Sequence, residues 1–158
     1  MPARRKAAAD AGLQRRIYLL GGSGSPSGEQ GKKVPGLRGF DSQFYYLDDI
    51  WELNLESNSW RQLLPLGHFD PDRLRAAVYH PVLKGLLIFE GIPLGNTQRG
   101  VSSVWLFRPD IDQLPVKLRM SGQISDLAMV SACALDPLNN EVLLRAEDGI
   151  FRVIAEPI

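Results

Sequence analysis

Apolar and polar residues alternate along Trp51-Glu52-Leu53-Asn54-Leu55-Glu56, the period of a strand with one buried face, and the run ends in Ser57-Asn58-Ser59 and a second tryptophan, Trp60. The same pattern returns fifty-four residues on. Trp105 stands where Trp51 stood and Phe107 where Leu53 stood, with turn formers at Pro109, Asp110 and Asp112 and Leu114 in the place of Trp60. Upstream, at a separation of sixty-nine, Ile17-Tyr18-Leu19-Leu20-Gly21-Gly22 matches Leu86-Leu87-Ile88-Phe89-Glu90-Gly91, and Arg4 with Ala7 and Ala8 matches Arg73 with Ala76 and Ala77. The N-terminal segment therefore reads as a strand. The two separations differ because the stretch between the glycines and the Trp strand covers residues 23–48 in one copy and 92–102 in the other, so the length variation falls in one loop. A third copy has Asp136-Pro137 in the place of His80-Pro81, Val142-Leu143-Leu144 as its second strand and Phe151 at the Trp position.

The glycine-rich stretch 16–33, RIYLLGGSGSPSGEQGKK, invites a phosphate-loop reading, which its spacing excludes. A dinucleotide fingerprint would need glycine where Ser27 stands. A Walker loop ending at Gly31-Lys32 would need glycine at Pro26 and Ser or Thr at Lys33, with a helix to follow. Adjacent glycines at the end of a strand instead suit a sharp exit from a sheet, where positive φ and close backbone approach carry no Cβ penalty. Gly21, Gly22 and Gly91 are accordingly structural, as are Trp51, Trp60 and Trp105, with Trp51 and Trp60 as core aromatics. Residues 23–39, rich in Gly, Ser and Lys, are expected to form a flexible loop.

An apolar run closing on Gly-Gly, a variable loop, an Asp before an alternating aromatic strand and a Trp some ten residues later together resemble the kelch repeat. AAVYHPVLKGLLIFEG is similar to the form of that repeat with a His-Pro or Asp-Pro turn between its first two strands. The likeness spans about 155 residues, in repeats at 3–66, 72–120 and 127–158; it departs at Glu90, at Leu114 and at Glu147-Asp148. It implies an all-β fold of antiparallel four-stranded blades, part of a β-propeller of about three blades. Kelch propellers commonly recognise proteins, and some carry arginines at the start of the first strand that face the partner, a place matched by Arg4 and Arg73. Other propellers of this look are galactose-oxidase-like or sialic-acid mutarotase-like, which makes a carbohydrate-active or sugar-binding protein the alternative.

Composition narrows the partners. The chain has 158 residues, enough for one domain with a sizeable core, and its 18 Lys and Arg balance 18 Asp and Glu. No basic excess favours nucleic acid or an anionic membrane, and no apolar run approaches the roughly 18 residues of a membrane-spanning helix. The single Cys133, set between alanines, allows no internal disulfide and suits a reducing compartment, cytoplasmic with the nucleus as the alternative. Reactive constellations are thin. Asp48 and Asp49 are adjacent and would diverge on a strand, His68 and His80 share no ligand spacing, and GGSGS lacks the order of a nucleophile elbow. No catalytic residue, metal ligand or cofactor is expected.

The expected function is a protein-interaction module. In an antiparallel blade the loop between strands two and three shares an end with the connection to the next blade, which collects 23–48, 66–73, 92–102 and 120–128 on one rim. The candidate contacts there are Arg38, Phe44, Tyr45, Tyr46, Arg73 and Arg99, with Arg4 added by the resemblance; Phe44, Tyr45 and Tyr46 read equally as residues that extend the sheet edge or pack the loop down. Closed propellers need about four to eight blades. Three copies would leave blade faces bearing Tyr18, Trp51 and Phe151 open to water, to be covered by self-association or by blades of a longer chain.

Overall fold

The computed structural model describes residues 5–6, 9–13, 15–24, 45–69, 74–91, 101–119, 121, 132–146 and 149–154. Those residues form twelve strands and no helix, in three antiparallel sheets. Sheet A holds β1 (Arg5–Lys6), β2 (Ala9–Leu13), β3 (Arg16–Gly24), β4 (Tyr45–Asn54) and β5 (Ser59–Leu64); β1 and β2 share one side of β3, followed by β4 and β5. Sheet B runs β6 (Leu74–His80), β7 (Gly85–Gly91), β8 (Val101–Phe107) and β9 (Val116–Lys117), and sheet C runs β10 (Ala132–Asp136), β11 (Glu141–Ala146) and β12 (Gly149–Ile154). Each is a meander, with β1 and β2 together lying along one side of β3 in sheet A. The chain divides into two compact units at Leu74 and Arg75, with sheet A in the first and sheets B and C in the second.

Sheets A and B share one register. Leu19 pairs with Trp51 in sheet A and Ile88 with Trp105 in sheet B, which are the sixty-nine- and fifty-four-residue separations of the repeat. Both sheets also slip by one residue at the same place, between Leu20 and Gly22 in β3 and between Glu90 and Gly91 in β7, so that β4 and β8 each carry one extra residue there. In sheet A the irregularity rests on glycine: Gly21 and Gly22 have φ of 61° and 97°, and a Cβ on Gly21 would lie 2.9 Å from the Leu47 carbonyl oxygen. In sheet B neither Glu90 nor Gly91 has positive φ, so the glycine requirement belongs to the first copy alone.

Three hairpin turns share one design. The turns 55–58, 81–84 and 137–140 have four residues each, and the last of each, Asn58, Lys84 and Asn140, has φ near +50°. The residue before each turn supplies an acceptor to its backbone: Asn54 Oδ1 takes the amides of Glu56 and Ser57, His80 Nδ1 that of Leu83, and Asp136 Oδ1 that of Leu138. Because His80 Nδ1 accepts, the ring proton lies on Nε2, which donates to the carbonyl of Asn140 at 3.0 Å. The buried His80 ring thus ties the β6–β7 turn to the β10–β11 turn. After β8, Arg108 closes a tighter loop, donating from its backbone amide and guanidinium to Asp112; hydrogen bonding to Arg108 holds the Asp112 carboxyl below its ordinary range.

The first hairpin departs from the sequence expectation. Leu13 pairs with Arg16 across two intervening residues, whereas Asp136 pairs with Glu141 across four, so the first strand sits two residues further along than the sixty-nine-residue match places it. The shift is even and keeps each side chain on its face. The expected loop 23–39 also begins later: Ser23 and Gly24 belong to β3, and 25–39 lies outside the described residues.

The core of the second unit lies between sheets B and C. Leu87 pairs with Leu106 and Phe89 with Val104 on one face of sheet B. They pack, with Ala76 and Leu83, against Val142 and Leu144, flanked by Cys133, Leu135, Phe151 and Val153. The last six form two cross-strand rungs of sheet C, Cys133–Leu144–Phe151 and Leu135–Val142–Val153. All seven residues of β7 are buried, which accounts for its near-continuous apolar sequence. The expectation that Tyr18 and Trp51 lie open to water is not met: both are buried, and Phe151 packs at the edge of the core. The large exposed apolar residues of sheet C are Ile150 and Ile154 instead.

His80→Ala removes the shared acceptor and donor of two turns and leaves a buried void. We expect a loss of about 2–3 kcal/mol in urea denaturation, with His80→Asn, which keeps an acceptor near Nδ1, losing less. Equal losses for the two variants would contradict this role.

Candidate interaction surface

The shared bulge marks one end of sheet A, and the side chains beside it are held by carboxylates. Two residues of β4, Asp48 and Asp49, face the single Gly21 there, and their carboxylates part company. Asp48, fully buried, accepts three consecutive backbone amides, those of Gly67, His68 and Phe69, at 2.7–3.0 Å. Three N–H groups converging on one carboxylate form a small anion nest built around a side chain, with Gly67 supplying φ of 103°. The segment after β5 is thereby pinned to the start of β4. Asp49 turns the other way and takes the indole N–H of Trp51 at 2.6 Å.

In sheet B the equivalent indole is satisfied from a different strand. Trp105 Nε1 donates to Glu90 Oε2 at 2.7 Å. Glu90 occupies the position of Gly21, and Ser103, its cross-strand partner, occupies that of Asp49. The pair Gly21 and Asp49 is thus replaced by Glu90 and Ser103: the carboxylate changes strands and the indole keeps an acceptor. Glu90, a departure from the glycine doublet in the sequence, is the compensation for the missing Asp. Lys117 Nζ lies 5.7 Å from the centroid of the half-buried Trp105 ring, a cation–π distance. Trp60, expected to be a core aromatic, is half-buried.

A second carboxylate crosses sheet A. Glu52 is buried, and its oxygens accept from Arg16 Nη1 at 3.3 Å and Arg61 Nη2 at 3.1 Å, on the strands to either side. Leu106 fills the corresponding place in sheet B, beside Gly85, where a Cβ would lie 2.8 Å from the Phe107 carbonyl oxygen. A charged triad in one copy is a close apolar contact in the other.

Of the expected contact residues, Tyr45 and Tyr46 are the first two of β4, pairing with Gly24 and Ser23. Those two pair on their other side with Arg5 and Lys6 of β1. Two rungs result, Arg5–Gly24–Tyr45 and Lys6–Ser23–Tyr46, at the end of the sheet where Asp48 pins 67–69. Arg4, Arg38, Phe44, Arg73 and Arg99 lie outside the described residues. The two-residue offset of the first hairpin, which sets Arg5 and Lys6 across β3 from the tyrosines, has no mark in the apolar pattern.

Among the described residues no group of His, Cys, Asp and Glu could hold a metal ion, and no helix is long and apolar enough to cross a membrane. No protein-family model matches the chain, and no curated protein matches it.

The exchange of carboxylates has a measurable consequence. Glu90→Ala should cost about 1–2 kcal/mol by removing the acceptor of a half-buried indole, and Ser103→Asp in that background, which rebuilds the sheet A arrangement, should recover at least half of it. In the parent chain Ser103→Asp should destabilise, since it sets two acids side by side. Additive effects of the two substitutions would show that the indole is not what couples them.

Proposed function

We propose that the chain forms blades of a kelch-type β-propeller and acts as a protein-interaction module, its partner held at the end of the sheets where the bulges lie. Three features support the blade reading: consecutive antiparallel meanders, a bulge at the same register in two of them, and turns of one design. The recognition reading rests on one observation, the two rungs that set Arg5 and Lys6 across from Tyr45 and Tyr46 beside a segment fixed by Asp48. Tyrosine and arginine are enriched among the side chains that anchor protein interfaces, where a single anchor often contributes about 2 kcal/mol or more. A segment held by three amides to one buried carboxylate loses little conformational freedom on binding, which favours affinity.

The test compares the chain with its Tyr45→Ser/Tyr46→Ser variant, both verified as folded by circular dichroism, as baits in an extract of the source organism and on a glycan array. One protein retained in stoichiometric amount by the parent chain, and at least tenfold less by the variant, is the expected result. Equal retention by both, or a specific glycan signal without a protein partner, would contradict the proposal and favour the carbohydrate reading.

A further inference from the structure

Sheets B and C meet through unlike faces. Sheet B contributes Leu87 and Phe89 to their common core, whereas sheet C contributes Val142 and Leu144. His80 and Asp136, at equivalent corners, are fifty-six residues apart, and the same separation places Val142 and Leu144 at the positions of Leu86 and Ile88. Those belong to the opposite face of β7. Phe151 agrees: it pairs with Leu144 as Trp105 pairs with Ile88. With the contributing face of sheet B named the acceptor and that of sheet C the donor, the packing runs head to tail. A sandwich of two like faces would have put Leu143 in the core instead.

Such packing leaves the acceptor face of sheet C without a sheet from this unit. Ala132, Ala134, Leu143 and Ile150 hold the places of Ala76, Val78, Leu87 and Val104 in sheet B, and Ile150 and Ile154 are 73% and 67% exposed. Arg145 and Arg152 replace Phe89 and Leu106 there, and the Arg152 charge is met by Glu141 at 3.0 Å. The matching donor face occurs elsewhere in the same chain. In sheet A, Ile17 and Leu19 hold the positions of Leu86 and Ile88, and they pair with Leu53 and Trp51. Ile17, Leu19, Leu53 and Trp60 are each only half-buried.

The geometry points to a second copy of this chain as the occupant: its sheet A donor face packs on the sheet C acceptor face, continuing the head-to-tail contact that already joins sheets B and C. The chain carries both halves of this contact, so each copy gives one face and takes one. The arginines on the acceptor face make the surface less apolar than the core it copies, and association is correspondingly reversible.

Sedimentation velocity over a concentration series tests this on the chain as it stands. The 17.5 kDa chain should shift toward a species of twice that mass as concentration rises. Ile150→Asp/Ile154→Asp alters exposed side chains only and should abolish the shift. Leu53→Asp on the donor face should do the same, with Ile17→Lys in its place if Leu53→Asp does not fold. An equimolar mixture of an acceptor-face and a donor-face variant retains one intact contact and should regain a dimer, more weakly than the parent. A parent chain that stays monomeric throughout would overturn the proposal, as would a dimer that survives the Ile150/Ile154 change. Loss of the dimer through the acceptor variant alone, with both donor variants still dimeric, would mean that like faces pair and would also overturn it.

Discussion

A tryptophan in the middle of a packed strand brings an indole N–H into a place where water does not reach freely, and that group needs an acceptor. The architecture around β3–β4 and β7–β8 follows from meeting this need at a bulge. In sheet A the carboxylate comes from Asp49 on the Trp strand itself, and the strand opposite must then be as thin as possible, which Gly21 allows. In sheet B it comes from Glu90 on the strand opposite, and the Trp strand shrinks to Ser103. The extra residue of the bulge frees Asp48 from the same task and lets it hold the segment after β5. One local constraint thereby fixes the register of two sheets and, in the first, shapes the end that carries the candidate surface.

Much of the fold could be read from the chain because β structure writes its faces at a period of two. Trp51, Leu53 and Trp105, Phe107 announced their strands, and the paired separations of the repeat fell on real cross-strand partners, Leu19 with Trp51 and Ile88 with Trp105. What the pattern could not carry was register where both candidate alignments keep the same faces. A shift of two residues in the first strand leaves every residue on its side of the sheet, so the apolar pattern carries no mark of it. Trp51 is buried, as its reading as a core tryptophan expects, and Tyr18 is buried although an open blade face would expose it, since a strand pattern shows which residues share a face and not which faces are covered.

The candidate surface was half legible. Tyr45 and Tyr46 stood out as aromatics before the strand, while Arg5 and Lys6 join them only through pairing with Ser23 and Gly24. The carboxylate of Asp48 could not be assigned at all, because its partners are backbone amides nineteen to twenty-one residues away, and backbone amides leave no trace in sequence. The acids and arginines of the Asp49, Glu90 and Glu52 sites are occupied in holding the sheets together.

The head-to-tail relation of sheets B and C separates successive blades from a sandwich, and methyl-labelled nuclear Overhauser spectroscopy measures it directly. The account predicts cross-peaks from Val142 and Leu144 to Leu87, Val104 and Leu106, and none from Leu143 or Ile150 to those residues. Contacts from Leu143 and Ile150 into that group, with Val142 and Leu144 facing away, would mean that like faces pack, and the sheets would then form a sandwich rather than successive blades.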